Sequence, residues 1–158
     1  MTKTLDRLWS QRAPDAVVKD KNEALALASI VEKETAKPSE RTMVAGVYTN
    51  RLRQGMRLDA DPTYIYPITH GKPLGRPIRM SEINAVNPYN THTKAGLPVG
   101  PITNPGKDSI CAALHPAQTQ ALYFVADGTG GHVFANTLAE HNANVEKWRA
   151  LRRARGEM

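Results

Sequence analysis

Two carboxylates close together in the segment Ala28-Ser29-Ile30-Val31-Glu32-Lys33-Glu34-Thr35 are the residues best placed to do chemistry. Glu32 follows the nearly apolar run Ala24-Leu25-Ala26-Leu27-Ala28-Ser29-Ile30-Val31. Helical residues advance about 100° each, so Glu32 and Glu34 lie about 160° apart around the axis and cannot both face one groove. A carboxyl beside Ile30 and Val31 is desolvated, which raises its pKa above the ~4.3 of a free Glu. A Glu that stays protonated near neutral pH is what general-acid cleavage of a glycosidic bond requires. In the plainer alternative, both carboxylates sit on a polar stripe, paired with Lys33 or Lys37.

A second constellation lies in loop sequence. Asn87-Pro88-Tyr89-Asn90-Thr91 and Gly96-Leu97-Pro98-Val99-Gly100-Pro101-Ile102-Thr103-Asn104-Pro105-Gly106 combine stiff turns with amides, hydroxyls and an aromatic ring. Sugar-binding clefts are built from such parts, and so are purely structural Pro/Gly loops. Other patterns carry less. Asp127-Gly128-Thr129-Gly130-Gly131 lacks the spacing of a phosphate-cradling loop and reads as a hairpin turn. His132 and His141 have no partner at ligand spacing, so no metal or cofactor is expected. Cys111, the single cysteine, reads as a small core residue. No Ser- or Cys-nucleophile signature is present.

The elements that must hold these groups follow from periodicity and caps. Asn22 can cap a buried helix running to about Ala36, which Lys37-Pro38 ends. Ser39 can cap a second helix with Met43, Val44, Val47, Tyr48 and Leu52 at helical spacing, stopped at Gly55. Met56 to Leu58 suggests a short strand, and Asp61-Pro62 starts a short helix through Tyr66. From Pro67 to Gly106 the chain reads mostly as loop, with a short helix after Ser81. Another helix starts at Asn104-Pro105 and ends at His115-Pro116. Leu122 to Val125 and His132 to Phe134 form a hairpin. Thr137 and Glu140 make a capping box for a last helix, with Leu138, Val145, Trp148 and Leu151 on one face. The order predicts an α+β fold, one domain of several helices on a small antiparallel hairpin with long Pro/Gly-rich loops.

With 158 residues the chain can bury a single core without disulfides. Its net charge of +6 suits an acidic partner. The cluster Arg149, Arg152, Arg153 and Arg155 equally suits the C-terminal end of a helix. No apolar run approaches the ~18 residues of a membrane span, and the N-terminus is no signal peptide. The chain as given therefore reads as soluble, and the sequence leaves open whether it is a fragment of something longer.

The quoted segments, together with Val47-Tyr48-Thr49-Asn50-Arg51-Leu52, Met56-Arg57-Leu58-Asp59-Ala60-Asp61-Pro62-Thr63, His115-Pro116-Ala117 and Leu122 to Phe134, closely resemble the MltG (YceG-like) endolytic murein transglycosylases. The likeness runs from about residue 24 to 145, with its motifs in order. It implies a catalytic domain over residues 21–158, preceded by a remnant or linker at 1–20. It implies a catalytic Glu, matched here to Glu32, acting on peptidoglycan glycan strands. It also implies a membrane-anchored parent with this part on the extracytoplasmic face, and cell-wall synthesis enzymes as possible partners. The membrane segment itself is absent from this chain.

In the mechanism so implied, one carboxyl protonates the oxygen linking N-acetylmuramic acid to N-acetylglucosamine. It then accepts the proton of the muramic C6 hydroxyl as that oxygen closes on C1, giving a 1,6-anhydro end. Asn50, Asp61, Tyr66, Tyr89, Asn90 and Asn104 are the candidates for holding the glycan, with Glu34, Glu40 and Arg51 in support. Two other readings stay open. One is a hydrolytic muramidase in which Asp61 or Glu34 activates water. The other is a non-catalytic module that binds peptidoglycan; nucleic acid is disfavoured for want of any motif.

Overall fold

The structure is a computed structural model and describes residues 2–156. Its core is helix on helix. Helix α1 (Thr2–Ser10) lays Leu5 and Leu8 into the same core as the later helices, and Val18 joins them. Helix α2 (Lys21–Glu34) is central. Ala24, Ala26, Leu27, Ala28, Ile30 and Val31 are buried, and the alanines let its neighbours approach closely. Its N-cap is Asp20, whose carboxylate accepts from the Glu23 N–H at 2.8 Å. Asn22, the expected cap, instead donates to the Val99 carbonyl. Ser29 is buried and bonded twice: it donates to the Ala26 carbonyl and accepts from the Ile102 N–H, tying the glycine-proline loop to the helix.

Pro38 excludes the α conformation from Lys37, and α2 ends at Glu34 with Thr35 extended. A turn of 3-10 helix (Pro38–Glu40) leads into α3 (Arg41–Arg53), so this helix starts after Glu40 and not at Ser39. Gly46 is required where α3 crosses the chain after α6: a Cβ there would lie 2.9 Å from the Ala117 carbonyl oxygen. Met56 to Leu58 forms no strand. Arg51 holds the Arg57 and Leu58 carbonyls with its guanidinium, which satisfies that backbone without a partner strand.

Helix α4 (Pro62–Thr69) starts where Pro62 predicts but runs through Pro67 to Thr69. Helix α5 (Met80–Ile83) interrupts the long loop, and α6 (Lys107–Leu114) begins after Gly106, later than Asn104-Pro105. Strands β1 (Tyr123–Ala126) and β2 (His132–Ala135) pair antiparallel, with Phe124 opposite Phe134. Helix α7 (Leu138–Ala154) is capped by Thr137, which accepts from the Glu140 N–H, while the Glu140 carboxylate reaches the Asn136 N–H. Leu138 does not join an apolar face; it is 55% exposed. The α+β class holds, with α2, α3 and α6 forming the centre and the hairpin carrying α7 at the side.

Candidate active site

The last turn of α2 sends its two carboxylates in different directions. Glu32 turns to the start of α6. Its Oε1 accepts from the Gly106 N–H at 2.7 Å and the Ser109 hydroxyl at 3.2 Å, and its Oε2 lies 3.9 Å from Arg41. A carboxylate at that place takes the N–H of Gly106, the residue that precedes α6, and meets the positive end of the α6 dipole, so Glu32 braces the start of a helix other than its own.

Glu34 turns the other way, toward α3 and α4. Two cavities, of about 490 and 480 Å³, both have Glu34 and Asp61 in their walls; Glu32 lines neither. Burial, and then the charge of Asp61, push the Glu34 carboxyl up to about 7, against the opposing effect of a hydrogen bond with Tyr48. Tyr48 is fully buried in α3. Asp61 sits at the mouth with a mostly exposed side chain, 3.1 Å from His92 Nε2. The first cavity adds Lys33, Ile65, Tyr66, Lys72 and Leu74; the second adds Tyr48, Arg51, Tyr123, His141 and Asn142. A half-buried carboxyl that titrates near neutrality, set between two sugar-sized spaces, can give and retake a proton at a bond that spans them.

The YceG-like family model matches residues 1–147 of the chain. The chain belongs to the YceG-like family. It is 42% identical over 124 residues to a protein of Bacillus subtilis (strain 168) named endolytic murein transglycosylase, covering 78% of this chain and 34% of that protein. A protein of the same name from Streptococcus pneumoniae serotype 2 is 40% identical over 130 residues, covering 78% of this chain and 23% of that one. The chain thus spans about a third or less of these relatives. The crystal structure of a yceG-like protein from Listeria monocytogenes superposes with a TM-score of 0.72 at 37% identity, covering 89% of this chain and 42% of that chain.

In this YceG-like chain the expected glycan contacts divide. Asp61 and Tyr66 line cavities, and Tyr89 packs against the Tyr66 ring at 4.9 Å. Asn90 is fully buried: its amide donates to the Ile83 and Ala85 carbonyls and its Oδ1 accepts from the His92 N–H. Asn50 donates to the Thr119 and Ala121 carbonyls and anchors the chain leading to β1. Arg51 bonds the Leu122 carbonyl and pairs with Asp59 while lining the second cavity. Asn104 is exposed on the loop before α6 and lines neither cavity.

Glu40 clasps the hairpin. It accepts from the His132 N–H at 2.7 Å and lies 2.8 Å from His132 Nδ1; burial raises its pKa, but these bonds outweigh that and hold it below the usual range. Tyr48, Lys72, Tyr123, His141 and Asn142 are cavity residues that spacing does not disclose, because they come from four different parts of the chain. Among the described residues no helix is long and apolar enough to cross a membrane.

Proposed function

We propose that this chain is the catalytic domain of a lytic transglycosylase acting on peptidoglycan strands, with Glu34, not Glu32, as the single acid/base. The placement of Glu34 carries the reading: a carboxyl with a pKa of about 7 in the wall shared by both cavities. Its proton goes to the oxygen bridging N-acetylmuramic acid and N-acetylglucosamine as the C1–O bond breaks. The carboxylate left behind takes the proton of the muramic C6 hydroxyl, and O6 bonds to C1. The nucleophile is part of the substrate, so proximity replaces a bound water and its base. Tyr48 fixes the orientation of the carboxyl. In the parent protein the strands lie outside the cytoplasmic membrane, and the enzymes that polymerise them are the partners of this reading.

Asp61 favours a second reading, since a carboxylate beside the acid could activate water for hydrolysis. Digestion of peptidoglycan in H₂¹⁸O, followed by mass spectrometry, separates the two. Lytic cleavage gives 1,6-anhydro ends free of ¹⁸O; ¹⁸O in reducing muramic ends would establish hydrolysis.

Two further results are expected. Glu32→Gln keeps an acceptor oxygen for Gly106 and Ser109, so it retains cleavage within about a factor of ten. Loss of all turnover in this variant, with its fold intact by circular dichroism, would return the catalytic role to Glu32. The pH profile should follow Glu34. On a soluble glycan, kcat/KM falls as pH rises through about 7, because the free enzyme must hold the proton to start. A rate constant to pH 9 would exclude Glu34 as donor.

A further inference from the structure

The second cavity differs in kind from the first. The first has Lys33 and Lys72 in its wall. In the second the cation is Arg51, whose guanidinium is taken up by the Leu122, Arg57 and Leu58 carbonyls and by Asp59. Tyr123 forms an aromatic platform there: Arg51 lies 5.0 Å from its ring centroid, and His141 of α7 stacks on it at 5.0 Å and 21°. His141 Nδ1 is buried without a hydrogen-bond partner. A buried polar atom left unpaired in a cavity wall is unfavourable until something in the cavity bonds to it.

We propose that this second cavity is the subsite for the uncharged N-acetylhexosamine of the strand, with His141 as its hydrogen-bonding residue and Tyr123 as its platform. The inference rests on the glycan-cleaving reading above. Burial, and then the charge of Arg51, lower the His141 pKa, so the ring is neutral at pH 7 and offers one donor and one acceptor. That pair matches a sugar hydroxyl or an acetamide. Asn142, beside it, offers a side-chain amide to the same sugar. Muramic acid carries an acidic lactyl group, and its stem peptide where present; the lysines suit it to the first cavity. The bond to be cleaved then spans Glu34, with the charged sugar on one side and the uncharged one on the other.

The test separates binding from turnover. Tri-N-acetylchitotriose, which has no lactyl group, is titrated into the Glu34→Gln chain and followed by NMR. Expected are shifts at the Tyr123 and His141 rings. His141→Ala should weaken binding about five- to tenfold. His141→Phe, which keeps the stacked ring but lacks the nitrogens, should weaken it similarly and report on the hydrogen bond without loss of packing. Unchanged affinity in both variants, shifts confined to Leu74 and Ile65, or no binding at all would overturn the subsite. Turnover is scored separately, by incubating the unsubstituted chain with peptidoglycan. Chitotriose binding that depends on His141 without glycan cleavage would retain the subsite and reject the reaction; cleavage with His141-independent binding would do the reverse.

Discussion

Glu34→Gln is expected to lower the cleavage rate by at least about 10²–10⁴, the contribution of a positioned general acid/base. The amide is nearly isosteric and its oxygen can still accept from Tyr48, but it cannot cycle a proton. The substitution should also leave the protein folded, and more stable at high pH. The folded-state pKa of Glu34, about 7, lies above its ordinary value of 4.5. The fold therefore favours the protonated form; this contribution is whole below pH 4.5 and is lost as pH rises through 7. Gln has no charge to bury, so above pH 7 the variant should exceed the parent by up to roughly 3 kcal/mol, with the gap closing below pH 4.5. Urea unfolding at pH 4 and pH 8 measures this, and fragment analysis on peptidoglycan measures the rate. Undiminished cleavage would remove Glu34 from the chemistry. An inactive variant that was also less stable at pH 8 would point to a structural role.

Leu27→Ala should produce the largest loss of stability. Leu27 is fully buried at the centre of α2, where α3 and α6 pack. Truncation removes its transfer free energy and leaves a cavity, together about 2–5 kcal/mol. In a domain of this size that lowers Tm by roughly 5–15 °C. Thermal and urea unfolding check it, and a loss below about 1 kcal/mol would mean that α2 is not the centre of the core.

The helices were legible because local rules decide them: Pro38, Pro62, Gly55 and Thr137 mark ends that the structure keeps to within a few residues. Errors arose where two residues of one type competed. Asp20 and Asn22 are both good caps, and only the tertiary bond from Asn22 to Val99 decides between them. The choice between Glu32 and Glu34 turns on tertiary neighbours in the same way. Spacing shows that the two cannot both face one groove, and the apolar run before Glu32 points to that residue. The surroundings of Glu34 come from Tyr48 on α3 and Asp61 before α4, distant in sequence. Asn90 has the composition of a sugar contact but is consumed by backbone carbonyls that spacing cannot reveal.

Helix α7 has no fully buried side chain, and of the hairpin strands only Ala135 is buried. The helix packs chiefly on the two strands. They are held to the body by the Glu40–His132 clasp, the bond from Arg51 to Leu122 and the packing of Phe124 and Phe134 against the core. A unit with so little burial sits at the low end of local opening free energies, far below the α2–α3–α6 centre.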